Sequence, residues 1–384
     1  MNNKPELVVV GAGFFGLTIA ERFASVVGKP VLVIDKRSHL GGNAHSEINS
    51  KTGVEVHKYG SHLFHTSNES VWNYITQFSK FNSYVHRVFT IHDGQSFPLP
   101  VNLQTINQLF GLALNPEGAR KLINNQRESL LNTVGDSSFE AKALEVIGPD
   151  LYNAFIRGYT MKQWQTDPKN LPAETFSRLP VRFDYNSRYF SDAHEGLPLD
   201  GYFKVFERMV ENPLIKVELD TDYFDTNYLD QPPTLTIYTG PIDRYFNFKF
   251  GELAWRTLDF EFQILDDEDF QGNSVINYAD EGVPFTRIHE FKHLHPERWK
   301  QSRGTVIARE FSRFASRHDE PYYPVNSSQD RETLSKYRAA ANEERNIIFG
   351  GRLGRYQYLD MHMAISSALQ TFQNDVLPRF IDVG

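Results

Sequence analysis

The chain contains no cysteine. That excludes disulfides, iron–sulfur clusters, thiolate nucleophiles and a cysteine-linked flavin, and it is compatible with a reducing compartment. Positive charge is also short. Lys and Arg total 40 against 48 Asp and Glu, for a net charge of −8. Nucleic-acid binding needs a basic surface, so nucleic acid is not expected as the main partner. A local basic pocket for a small anion stays open. Long apolar runs are missing too. Residues 7–20, the longest uncharged stretch near the start, are too few to cross a bilayer, carry no basic leader and are broken by three glycines. Neither membrane insertion nor a signal peptide is expected, and the expected location is cytoplasmic. There is no internal repeat and no low-complexity tract. What remains is an ordinary globular composition, 40% hydrophobic and 23% charged over 384 residues. It suits two to three domains around a large core.

The most legible motif lies near the start. An apolar run, Leu7–Val10, fits a buried parallel strand, and Gly11, Gly13 and Gly16 follow in G-x-G-x-x-G spacing. The first glycine permits the tight turn, the second lets phosphate approach the backbone, and the third lets helix and strand pack closely. Leu17, Ala20, Phe23, Ala24 and Val27 then recur at helical spacing. The free N–H groups and positive dipole end of that helix would face a pyrophosphate. A second apolar run, Val31–Ile34, ends at Asp35, a carboxylate placed for a ribose hydroxyl pair. Next comes KRSHLGGN, where Gly41 and Gly42 offer a second close backbone approach. Plain NAD folds do not need it, so FAD is favoured.

Further along, residues 85–99 read as a hairpin about Asp93-Gly94. Residues 105–164 read as helical, with Asn115-Pro116 as a cap and first-turn pair and a break at Gly148-Pro149. Residues 167–180 carry three prolines and no periodicity, as a mobile loop would. Strand-like runs alternate over residues 253–314, suggesting an antiparallel sheet, and TLTIYTGP reads as a strand returning to the nucleotide domain. At the end, Ile347–Phe349 precedes GGRLGRYQYLD. Met361, Ala364, Ile365, Ala368, Leu369 and Phe372 then mark an amphipathic helix. The nucleotide domain is therefore expected to use both ends of the chain. His62 and His65 have a spacing that zinc could use, but no cysteine or neighbouring acid completes a tetrahedral set, so no metal is expected.

These residues also carry a resemblance. GAGFFGL, GGNAHS, HKYGSHLFHT, GYTMKQW, SRLPVRFDYNSRYF, TGPIDRYF, LAWRTLDFE, VPFTRIHE, EPYYPV and GRLGRYQYLDM occur in the order found in the bacterial UDP-galactopyranose mutase family. The chain resembles that family over nearly its whole length. The resemblance implies an α/β fold: a Rossmann-like FAD-binding domain (1–84, 200–247, 335–384), an inserted helical domain (101–165) and an antiparallel β-sheet domain (85–100, 180–199, 248–334). A mobile substrate loop (166–180) completes the expected organisation. It also implies a homodimer and interconversion of UDP-galactopyranose and UDP-galactofuranose without net redox. The cofactor would be noncovalent FAD, active when reduced by NAD(P)H or another reductant, and its N5 would form a covalent adduct with galactose as UDP leaves. Two other classes share the architecture: an FAD-dependent oxidase or desaturase, and a non-catalytic binder like the GDP-dissociation inhibitors.

Carried over residue by residue, the resemblance places Arg178 and Arg287 on the diphosphate, where forked cations suit a departing phosphate. Tyr189 and Phe155 fall near the uracil, and Tyr159, Thr160 and Trp164 beside phosphate and sugar. Phe155 equally suits an apolar helix face. Asn277, Tyr323 and Tyr358 complete the substrate set. Gly11, Gly13, Phe14, Gly16, Asp35, Lys36, Gly42, Asn43, Gly240, His62, His65, Arg352, Tyr358, Leu359 and Asp360 match the FAD positions. Arg352 and His65 lie beside the flavin and Asp360 doubles as a helix cap. His57 and Tyr322 read as structural. Phe285, Arg355 and His86 stand where the family often has tyrosine, threonine, and histidine or asparagine.

Overall fold

The computed structural model describes residues 5–128, 138–173, 181–228 and 231–381. Arg178 and the end of the expected loop lie outside the described residues. Apolar runs from distant parts of the chain form one five-stranded parallel sheet. Its order is Ile347–Phe349, Leu235–Tyr238, Leu7–Val10, Val31–Ile34 and Ile215–Glu218. A parallel sheet needs cover on both faces, so Leu7–Val10 and Val31–Ile34 at its centre are apolar throughout, while the edge strand Ile215–Glu218 alternates apolar and charged residues. Leu7 and Val9 pack with Leu17 of helix Phe14–Arg22, Ile365 of helix Met361–Thr371 and Phe372 just after it. Val8 points the other way, into a smaller cluster with Leu32, Ile34, Tyr223 and Tyr238. Strands Leu7–Val10 and Ile347–Phe349, far apart in the chain, thus share this sheet.

Residues 103–128 and 139–164 form the helical unit. Asn102 caps Leu103–Phe110, and Asn115 Oδ1 accepts the Gly118 N–H at 2.8 Å at the start of Pro116–Glu128. The predicted break is real: Gly148 adopts φ 77°, ψ 168°, a region open essentially to glycine alone. Apolar residues of these helices, Ile106, Ile123, Ile147 and Leu151, close over Phe97 and Leu99 of the predicted hairpin. Its strands Val88–His92 and Gln95–Leu99 turn at Asp93 (φ 47°) and Gly94 (φ 71°). Positive φ at both positions matches the twist of the flanking strands.

The hairpin joins Val275–Tyr278, Arg287–Glu290, Thr305–Phe314, Trp255–Leu265 and Tyr323–Pro324 in a seven-stranded sheet. Every pairing is antiparallel except that of Val275–Tyr278 with Val88–His92, so the sheet is mixed. Residues 194–196 do not join it. They pair instead with Phe64–Thr66 of the nucleotide unit as a separate ribbon. No helix among the described residues is long and apolar enough to cross a membrane.

Candidate functional site

A cavity of about 570 Å³ opens at the carboxyl ends of the parallel strands, where ligands bind in open α/β sheets. The ends of four strands supply Gly11, Gly13, Asp35, Gly240 and Gly351 to its wall. Gly11 has φ +106°, and a Cβ there would meet Thr239 Oγ1 at 2.0 Å. A Cβ on Gly16 would meet the Gly11 carbonyl oxygen at 2.0 Å and Val9 Cγ1 at 2.9 Å, so helix and strand touch only because it is glycine. Around Gly13 the space is open, the nearest atom being Gly42 Cα at 4.0 Å. The helix that follows has no side-chain cap and no acid in its first turn. Its first amides therefore face the cavity with a positive dipole end, a ready anion site. Asp35 Oδ2 accepts from Ala12 N–H at 2.7 Å and Oδ1 from Arg37 N–H at 2.9 Å, which locks the turn and fixes the carboxylate on the cavity wall. These residues fit a dinucleotide. Phe14, Lys36, Asn43, His62, Arg352 and Leu359 line the same cavity.

Beyond it lies an arginine held by buried groups. Arg287 and Glu310 are cross-strand partners, with Nε 3.2 Å from Oε1. Burial pushes the Glu310 carboxyl up. Arg287, with bonds from His289 and Thr286, pulls it further down, to about 2. Burial likewise opposes the Arg287 charge, which Glu310 and Tyr159 restore and raise. The Tyr159 hydroxyl contacts the guanidinium, and Tyr189 and Tyr323 lie within electrostatic reach. Asn277 is the register partner of Arg287, and its Oδ1 is buried without a hydrogen bond. Helix Gly158–Trp164, which carries Tyr159, Thr160 and Trp164, is fixed to the sheet by Lys162. Its Nζ donates to the carbonyls of Tyr278, Asp280 and Phe285 at 2.7, 2.8 and 3.1 Å. Burial lowers this ammonium to about 8.

Tyr323 links the arginine to the cavity. It stacks on Tyr358 at 5.8 Å, and the Arg352 guanidinium lies 4.9 Å from the Tyr358 ring centre. Arg352 donates to the carbonyls of Tyr322 and Leu359, and the Tyr358 hydroxyl donates to Asp360 at 2.7 Å. Asp360 is the N-cap position of the last long helix but accepts no capping bond, so its carboxylate serves Tyr358 instead. His62 Nδ1–H donates to the Gly60 carbonyl at 2.8 Å, and burial lowers the ring to about 4. Its neutral Nε2 is left as an acceptor.

His65 does not line the cavity wall. It stacks on Phe190 at 3.7 Å, and its Nδ1 donates to Asp192 at 2.8 Å. The expectation that no acid stands near it fails, because folding also brings Asp360 and His362 within 4.8 Å. Phe155 is buried in the helical core against Phe97, with His92 at its edge. Tyr189 is partly exposed beside His86, which burial holds neutral at about 3. Arg355 reaches Ser367 and Thr371 on the last long helix. The sequence of residues 285–291 and 305–311 does not by itself single out Glu310 and His289. The available signal was Glu310 among the inward positions 308, 310 and 312 of an alternating strand.

The UDP-galactopyranose mutase family pattern matches residues 154–358, and a NAD(P)-binding Rossmann-like domain pattern matches residues 9–78. A probable UDP-galactopyranose mutase of Klebsiella pneumoniae is 43% identical over 97% of this chain and 94% of its own. A dTDP-fucopyranose mutase of Escherichia coli is 42% identical over 96% and 97%. Among solved structures, reduced UDP-galactopyranose mutase superposes with TM-score 0.68 at 15% identity, covering 96% of this chain and 93% of that one. A putative protoporphyrinogen oxidase from Exiguobacterium shares the fold at TM-score 0.64 and 13% identity, covering 98% and 99%. The chain therefore belongs to the UDP-galactopyranose mutase family.

Proposed function

We propose that the protein interconverts UDP-galactopyranose and UDP-galactofuranose, with noncovalent FAD in the cavity at the strand ends. When bound and reduced, FAD would supply the nucleophile for the sugar's anomeric carbon as UDP departs and would be regenerated when UDP returns, with no net oxidation. The chain's own residues do the rest. The amides after Gly13 and the carboxylate of Asp35 suit the cofactor's pyrophosphate and ribose. Arg352 and His62 stand on the same wall, next to the stacked pair Tyr323 and Tyr358. Arg287 receives the diphosphate of the leaving group, assisted by the hydroxyls of Tyr159 and Tyr323, by Asn277, and by Arg178 from the substrate loop. Trp164, Thr160 and Tyr189 frame sugar and base, while Phe155 stays in the helical core. The single observation that carries this reading is a half-buried arginine, fixed by a buried, charged glutamate and by the Tyr159 hydroxyl, beside a dinucleotide cavity. A developing phosphate charge gains most from a preorganised cation of this kind.

The test is anaerobic incubation with UDP-galactofuranose, followed by chromatography. Dithionite-reduced protein is expected to yield UDP-galactopyranose while oxidised protein yields none; equal conversion by both would remove the reading. The Escherichia coli relative, a dTDP-fucopyranose mutase of almost the same identity, supports a second substrate reading. The same assay with dTDP-fucofuranose decides it by the ratio of the two kcat/KM values.

A further inference from the structure

Between the arginine and the cavity runs a chain of polar groups in which Glu310 and His289 are buried and Ser61 is half-buried. Glu310 Oε1 meets Arg287, and its Oε2 lies 3.1 Å from His289 Nε2. Burial lowers His289, so its ring is neutral. A neutral imidazole facing a carboxylate puts its proton on Nε2 and leaves Nδ1 as an acceptor. The Ser61 hydroxyl lies 2.8 Å from that Nδ1 and donates to it. Ser61 precedes His62, which lines the cavity, and follows Gly60, whose φ is +87°. A Cβ on Gly60 would stand 3.3 Å or less from the Phe260 ring and 3.7 Å from Glu310 Oε2. Segment 60–62 therefore lies directly on the acid that orients the arginine. Its other end is pinned as well, by His62 N–H donating to His57 Nδ1 at 2.9 Å.

We propose that His289 is a positioning residue that couples the two halves of the site. Through Ser61 and Glu310 it ties the backbone at His62 to the guanidinium of Arg287. The inference rests on the mutase reading for its two ligands, FAD and UDP. The physical argument is directional satisfaction. Each group in the chain has one geometry in which its buried donor or acceptor is paired. A shift of segment 60–62 when the flavin changes charge must re-aim Ser61, then the imidazole, then Glu310. Arg287 follows because Glu310 is its only carboxylate partner among the described residues. By linkage, flavin state then alters UDP affinity, and UDP alters the flavin's potential by the same free energy.

The experiment uses the FAD-loaded protein with UDP alone as the probe, titrated against oxidised and dithionite-reduced forms. The two dissociation constants of the wild type are expected to differ by about tenfold, within the range typical of such couplings. Ser61→Ala removes only the hydroxyl and is expected to bring the ratio to within about twofold of one, with FAD content unchanged. Ser61→Thr restores the hydroxyl and is expected to recover most of the ratio; His289→Gln, whose amide can donate to Glu310 from near the Nε2 position but places no acceptor at the Nδ1 position facing Ser61, behaves like Ser61→Ala. A wild-type ratio near one, or a Ser61→Ala ratio equal to the wild type's, overturns the proposal. Turnover separates the two ideas. Protein that converts UDP-galactofuranose but keeps its ratio in Ser61→Ala loses only the coupling, whereas protein that shows the coupling without conversion loses only the mutase reading.

Discussion

At the residue scale, the feature that matters most is the pairing of Arg287 with Glu310. Glu310 is buried and Arg287 partly exposed, so removing the arginine leaves a buried carboxylate without its cation, at a cost of up to about 3–5 kcal/mol. Arg287→Ala therefore mixes a folding defect with any catalytic one. Arg287→Lys keeps the charge beside Glu310 and loses the planar fork. It is expected to retain FAD and a melting temperature close to wild type, while kcat/KM falls by about 100-fold, the effect of losing one transition-state donor. A steady-state assay of the reduced enzyme and the flavin absorbance check this together. Arg178→Ala is expected to lower kcat/KM by a similar factor with FAD still bound. The sequence names Arg287 through its motif, and folding brings Tyr159, Tyr189, Asn277 and Tyr323 around it. It does not name Glu310 or His289. Each is ordinary in its own strand, and only cross-strand register and the packing of segment 60–62 give them partners.

At the scale of elements, the glycine turn separates packing from ligand approach. Gly16→Ala would drive a methyl into the Gly11 carbonyl and Val9, with backbone on one side and a buried strand on the other. Overpacking of this kind costs about 1–3 kcal/mol or more. The variant is expected to melt several degrees lower and to lose its flavin. Gly13→Ala meets nothing closer than 4.0 Å, and its backbone (φ −83°, ψ −179°) is open to any residue. The apoprotein is then expected to melt within about 2 °C of wild type, while FAD affinity falls by tenfold or more because the methyl occupies cavity space. Calorimetry with and without added FAD distinguishes the two variants. Such elements are legible because their signals are local: unbroken apolar runs, the glycine spacing, Asn115-Pro116, and Asp93-Gly94. The ribbon of Phe64–Thr66 with His194–Gly196 has three residues a side and no alternation to announce it. The parallel pairing of Val275–Tyr278 with Val88–His92 joins strands separated by the whole helical unit, and nothing in either strand specifies its partner.

At the scale of the whole molecule, the units meet across buried histidines, which makes assembly sensitive to acid. His57 lies between Tyr202 of the nucleotide unit and Phe291, which follows strand Arg287–Glu290 of the seven-stranded sheet, and His86 packs against Tyr189. Desolvation holds His57 and His86 neutral at about 3, and His62 at about 4. Unfolded, each would titrate near 6.5. Between those values the unfolded chain binds more protons than the folded one, so stability rises with pH through that window and is fully present above about 6.5. Going from pH 7.5 to 5.5 is then expected to cost about 1 kcal/mol for each of the three. His293 runs the other way: burial lowers it, but Glu290 and Asp269 raise it further, and its contribution grows as the pH falls. Glu310 and Glu55, both held at about 2, stay ionised in the folded protein over this range and do not contribute. The net expectation is a urea midpoint clearly lower at pH 5.5 than at pH 7.5. His57→Asn isolates the cause, because its amide oxygen can still accept the His62 N–H while nothing titrates. That variant is expected to start less stable at pH 7.5 but to lose about 1 kcal/mol less on acidification. Equal losses in variant and wild type would show that acid acts elsewhere than at these buried imidazoles.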